Sequence, residues 1–184
     1  MTSTADGTRA ILDFWFDEVG PKRWWAGRSK DLDDTIRARF LPLWEEWRGR
    51  PADQFLATAD KALAAIVLFD QFSRNMFRGD ARAFATDALA LEIAESLVDK
   101  GLDRRMTTDQ RSFVYMPFQH AEDLAMQDRA IALFSELDLP DSLKYAKAHR
   151  EIIARFGRFP ARNAALGRQN RPGEEEAIAA TADW

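Results

Sequence analysis

Residues 63–78, LAAIVLFDQFSRNMFR, start as a helix with no polar face, then acquire Asp70, Gln71, Arg74, Asn75 and Arg78 while keeping Phe69, Phe72, Met76 and Phe77. At 100° per residue, Leu63, Ile66 and Val67 share one sector. Asp70 and Arg74 fall back into it, with Gln71, Asn75 and Arg78 beside them. Burying such groups is costly unless each finds a partner. The segment therefore predicts a polar wall inside the protein, either a closed network or the lining of a pocket.

Helical spacing recurs along the chain, and strand signals are nearly absent. There is no alternating Val, Ile or Thr run and no Asn-Gly or Asp-Gly hairpin turn between apolar segments. Ile11, Leu12, Trp15 and Phe16 predict a first short helix; Leu32, Ile36, Phe40, Leu43, Trp44 and Trp47 predict a second, bent at Pro42. Further helices are expected from Thr58 to Gly79 and from Thr86 to Lys100, with Gly101 as the glycine just past the end. Thr108 caps a short helix through Tyr115, and Pro117 opens another that runs through Leu137. A helix from Pro140 closes at Phe156 and Gly157. After a loop over 158–171, a last helix begins on the acidic turn Glu174, Glu175, Glu176. Short connections make successive helices antiparallel neighbours. The 184 residues suit one domain with a sizeable core, residues 1–8 being a flexible tail.

Composition narrows the chemistry. No stretch approaches the length of a membrane span, and the opening MTSTADGTR has no signal-peptide pattern. With no cysteine there is no disulfide, thiolate nucleophile or thiolate metal site, which fits a reducing, cytoplasmic setting. The net charge of −4 argues against broad nucleic-acid affinity. From Lys144 to Arg171, however, eight Lys or Arg face only Glu151, a local +7 that leaves −11 on the remainder. These arginines either pair with the protein's own carboxylates or receive an anionic partner.

Three constellations could carry chemistry. On the helix 145–156, His149 falls in the sector of Tyr145, Ala148, Ile152, Ile153 and Phe156, which directs it inward as a core histidine or a catalyst. In YMPFQHAED, His120 and Glu122 lie 200° apart, so Asp123 is the better placed helical partner of His120. A metal would need His120, His149 and a distant carboxylate to converge, and none is expected. In RFGRFPARNAALGR, Arg155, Arg158, Arg162 and Arg168 alternate with Phe156, Phe159 and Pro160, a loop suited to carboxylates or phosphates. Its glycines are too sparse for a nucleotide cradle, and the acidic remainder disfavours RNA stacking. No Gly-x-Ser-x-Gly elbow appears, and Ser73 has no base beside it. The tryptophans read as core wedges, with Trp24 and Trp25 open to a stacking role.

The strings ILDFWF (11–16), IRARF (36–40), LFDQFSRNMFRGDARAFATD (68–87), FVYMPFQHAED (113–123) and HREIIARFGRFPARNAALGR (149–168) give the chain its strongest signature. In this order it resembles the bacterial family known as domain of unknown function 924 (DUF924). The resemblance implies an all-α fold, a TPR-like stack of antiparallel helical hairpins with about eight helices. It also implies a concave surface on which Asp70, Arg74, Asn75, Arg78, His120 or Glu122, His149 and the arginines of the last loop meet. The family pattern has histidine where Ala161 stands and serine where Ala121 stands. Were that histidine catalytic throughout the family, this member would be impaired.

Three functions follow as expectations. The first is binding of an acidic peptide or a small anionic ligand through Asp70, Arg74, Asn75, Arg78, His149, Arg158, Arg162 and Asn163. The second is a hydrolase using His120 or His149, oriented by Asp70 or Glu122, with arginines stabilising an anion. The third is a scaffold whose buried ion network fixes helix packing. No cofactor is called for, and the oligomeric state is not legible.

Overall fold

The computed structural model describes residues 4–24 and 27–180, and among them it shows nine helices and no strand. Helix α1 spans Thr4–Leu12 and runs on as a π-helical turn over Asp13–Val19, ended by Gly20 at φ 68°. A short α2 covers Pro21–Trp24 and α3 covers Lys30–Trp47, opened by Ser29, whose hydroxyl accepts from the Leu32 amide. Helix α4 starts at Thr58, whose hydroxyl accepts from the Lys61 amide, and is α-helical over Ala59–Ile66. It widens to π geometry over Val67–Phe72 and closes as α-helix over Ser73–Met76. Then come α5 (Asp87–Asp99), α6 (Thr108–His120), α7 (Leu124–Ser135), α8 (Pro140–Phe156) and α9 (Glu174–Ala180). Sequence neighbours pack on one another, α4 on α5, α6 on α7 and α7 on α8, while α1 and α3 lie against α4. The Arg150–Asp128 bond joins α7 to α8 across the 136–139 turn.

Two boundaries differ from expectation, each for a local reason. Residues 4–8 are helix rather than tail, and Gly7 lies so close to Trp47 that a Cβ there would sit 3.0 Å from the indole. The short helix expected over Thr108–Tyr115 does not end there and no new helix opens at Pro117: one helix, opened by the reciprocal capping box of Thr107 and Gln110, runs through. Pro117 is carried inside α6, which stops at His120 where Ala121 turns extended. Asp123 then caps α7 by accepting from the Met126 amide. That role removes Asp123 as the partner of His120. The 158–171 segment is ordered by a 3₁₀ turn over Pro160–Arg162 and by side-chain bonds.

The core runs the length of α4. Leu63, Ile66, Val67, Phe69 and Phe72 are fully buried beside Trp44, Trp47, Phe113 and Phe118. Trp15 is buried with them, and Trp24 donates its indole N–H to the Trp15 carbonyl at 2.8 Å, which makes it a packing residue. Trp25 lies outside the described residues. On α8 the inward face passes through Ala146 and Ile153, whereas Tyr145 is half exposed rather than inward.

Widening α4 to π geometry moves its backbone bonds from i+4 to i+5 partners, and side chains also donate to the carbonyls of this turn. The Phe69 carbonyl accepts from Ser73 Oγ at 2.8 Å and from Thr86 Oγ1 at 2.7 Å. The Asp70 carbonyl accepts from Arg74 Nη1 at 2.8 Å. Trp44 Nε1 donates to Ser73 Oγ at 3.0 Å and closes a polar knot under the bulge. The extra residue in this turn also breaks the 100° phase used to read the sequence. Asn75 and Arg78 point to α3, where both bond Asp33, and do not share the surroundings of Asp70 and Arg74.

Candidate active site

Asp70 forms the floor of the site, with its side chain only 1% exposed. Its carboxylate faces His120 Nδ1 at 2.8 and 3.0 Å, Gln71 Nε2 at 2.5 Å and Arg74 Nη1 at 3.1 Å. Burial works to raise its pKa, but the Arg74 charge, that of His120 once acid protonates it, and the bonds from His120 and Gln71 outweigh it and hold the carboxyl well below the usual range. An ionised carboxylate only accepts, so Nδ1 of His120 carries the proton and Nε2 is the basic nitrogen on the far side of the ring. The His120 side chain keeps 16% exposure at the end of α6. Burial lowers its pKa, the cations Arg74 and Arg162 add to this, and Asp70 opposes them. The imidazole is therefore neutral and basic at neutral pH.

Asp87, in the first turn of α5, ties the arginines together. Arg74 reaches it with both Nη atoms at 2.8 and 3.0 Å, and Arg162 reaches it with Nη1 at 3.2 Å. Arg162 Nη2 also donates to the His120 carbonyl at 2.7 Å, and its guanidinium lies 4.7 Å from the rings of both Phe84 and Phe159. Burial and the neighbouring Arg74 cation pull its pKa down to about 10. His149 donates its Nδ1 proton to the Tyr145 carbonyl at 2.8 Å, and its ring lies 6.1 Å from that of His120 and 5.3 Å from Phe159. Burial first, then the charges of His120, Arg162 and Arg74, lowers its pKa to about 4.

This depressed value has a measurable consequence. Above pH 6.5 His149 is neutral in both folded and unfolded chains; between 6.5 and about 4 only the unfolded chain takes up its proton. Stability is therefore expected to fall as pH drops through that window, by roughly 2–3 kcal/mol from this residue. Urea midpoints measured from pH 7.5 to 4.5 should show a slope that His149→Gln reduces, the lowered pKa of His120 supplying part of what remains.

The residues expected to share one surface divide into three clusters. Asp70, Arg74, His120, His149 and Arg162 come together. Asn75 and Arg78 belong with Asp33, while Arg158 and Asn163 surround Glu174, a buried carboxylate on α9. Glu122 accepts from the Phe159 amide at 2.8 Å and from both Arg168 Nη atoms, so it staples the last loop instead of orienting His120. Asp87 and Glu174 are the residues that sequence reading missed. Asp87 ends the string FATD, and Glu174 sits in the acidic turn already noted, but nothing local marks either as a meeting point of arginines. Among the described residues no group of three or more His, Cys, Asp or Glu converges as a metal site, and no helix is long and apolar enough to cross a membrane.

Fold and site together define an all-helical protein in which a buried carboxylate orients one histidine beneath paired arginines. The chain belongs to the family described as bacterial protein of unknown function (DUF924), whose model matches residues 11–181. It is similar to the solved structure of ATU0120, a protein of unknown function from Agrobacterium tumefaciens. The two are 39% identical over 96% of this chain and 98% of that one, with a TM-score of 0.88. No curated protein matches the chain.

Proposed function

We propose that the protein is a hydrolase of ester-type substrates in which His120 is the proton acceptor. The observation that carries this reading is the Asp70–His120 contact at 2.8 Å, made by a buried carboxylate to the nitrogen opposite the basic one. In this scheme Nε2 of His120 takes a proton from water as the water oxygen adds to the substrate carbonyl. Asp70 stabilises the imidazolium, and the same proton then passes to the departing alkoxide. The lowered pKa of His120 keeps it in the basic form at neutral pH.

Charge balance bears on the substrate. Arg74 and Arg162 are matched by Asp70 and Asp87, Arg78 by Asp33, Arg158 by Glu174 and Arg168 by Glu122. Arginines engaged in this way hold little net attraction for an acidic peptide or a free anion, so an uncharged ester fits better than the anionic ligand expected from the loop's composition. The pairwise packing of successive helices supports a TPR-like stack as the frame, and the cysteine-free composition fits a cytoplasmic setting.

The test is hydrolysis of p-nitrophenyl acetate by the purified protein and by His120→Gln, with p-nitrophenyl phosphate as the anionic comparison. Loss of His120 should cut turnover of the neutral ester about 10²–10⁴-fold. Equal rates for the two proteins, or turnover of the phosphate alone, would overturn this reading.

A further inference from the structure

The C-terminal helix α9 is seven residues long, and Glu174 is its one buried member, with no exposed surface at all. A carboxylate that deep needs donors on every side, and all of them come from the preceding loop. Arg158 reaches it with Nε at 2.8 Å and Nη2 at 2.7 Å, Asn163 with Nδ2 at 2.9 Å and Arg171 with its backbone N–H at 2.8 Å. Between Arg158 and Asn163 runs the 3₁₀ turn Pro160–Arg162, against which α9 packs. Both ends of this turn are thus held by a single carboxylate.

The turn carries two components of the site. Phe159 lies 5.3 Å from the His149 ring, and Arg162 bonds Asp87 and the His120 carbonyl. We infer that Glu174 is a positioning residue: docking of α9 through this carboxylate seats Arg162 against His120 and Asp87, so the C-terminal helix completes the site without touching substrate.

The arrangement separates positioning from packing. A purely structural clasp would change stability alone. A clasp that seats Arg162 also changes the surroundings of the imidazoles, because Arg162 is one of the cations that depress both histidines. His120, Arg162, Arg74 and the Tyr145 carbonyl act on His149 together with the Phe159 ring, and Asp70, Arg74 and Arg162 act on His120. Loosening the turn withdraws one positive charge and admits water, both of which favour the protonated ring.

The experiment is a histidine ring NMR titration of the full chain, its Glu174→Gln and Arg162→Gln variants and the double variant, with thermal unfolding in parallel. In Glu174→Gln the His149 titration is expected to move up from about 4 towards 6.5. Arg162→Gln should give a comparable shift, and the double variant should add little, since the two act in series. Asn163→Ala, which spares the Arg158–Glu174 pair, should give a smaller shift in the same direction and serves if Glu174→Gln fails to fold. Unchanged titration of both rings in the folded Glu174 or Asn163 variant, or additive shifts in the double, would overturn the inference.

The kinetic counterpart rests on the hydrolase reading: kcat for the neutral ester should fall on the order of ten- to a hundredfold in Glu174→Gln with KM little changed. If the wild-type protein hydrolyses no ester, that reading fails, and the titration still decides the role of Glu174.

Discussion

Asp70→Ala is expected to lower the free energy of unfolding by about 3–5 kcal/mol, the range for removing one partner of a buried charged network. The carboxylate is fully buried and faces His120, Gln71 and Arg74 at once. Its removal leaves Gln71 Nε2 and His120 Nδ1 without that acceptor, and Arg74 keeps Asp87 and the residue-70 carbonyl. Asp70→Asn keeps the volume and one acceptor, so a smaller loss of about 1–3 kcal/mol is expected. The same change withdraws the negative charge that raises the His120 pKa, and it should move that titration further down. Urea unfolding at pH 7.5 with a constant m-value measures the first effect. A loss below about 1 kcal/mol for Asp70→Ala would mean that water replaces the carboxylate and that the network is not what fixes α4 against α6.

Trp44→Ala is expected to cost a similar amount, about 3–5 kcal/mol, for two separable reasons. The indole is 1% exposed and its ring centre lies 4.8 Å from that of Phe77, so truncation opens a large apolar cavity. It also removes the N–H that closes the Ser73 and Thr86 knot beneath the π turn. Trp44→Phe keeps most of the volume and loses only the donor, with roughly 1–3 kcal/mol expected. Thr86→Val leaves the Phe69 carbonyl with Ser73 as its remaining side-chain donor and should fall in the same range. If the knot is one unit, Trp44→Phe and Thr86→Val together should cost clearly less than the sum of the two. Strict additivity would show that the two bonds act independently.

The polar wall was legible at 63–78 because charged residues interrupt an apolar helix there, and that pattern carries its own physical cost. Its division was not legible. A π turn adds a residue without leaving a compositional mark, and the place of Asp33 on α3, which draws Asn75 and Arg78 away from Asp70 and Arg74, is set by packing. Periodicity reaches only along one helix, so it offers His120 the neighbour Asp123, and it leaves Asp70 and Glu122 as undecided alternatives for the orienting carboxylate. The partner of His120 is Asp70, fifty residues earlier in the chain, on a different helix. The arginines of the last loop stood out as a charge excess. Which carboxylate each one meets depended on Asp87, Glu122 and Glu174, whose places are set by how α5, the 121–123 turn and α9 pack.

Local physical chemistry alone determined the all-helical class, most helix limits and the order of the elements. Helical period, capping residues and glycines act over a few residues and are written directly in the chain. Tertiary structure decided the chemistry. Only packing brings Asp70 of α4, Asp87 of α5, His120 of α6, His149 of α8 and Arg162 of the last loop to one place, because burial forces each ionised group to find its counter-charge wherever the fold can supply one.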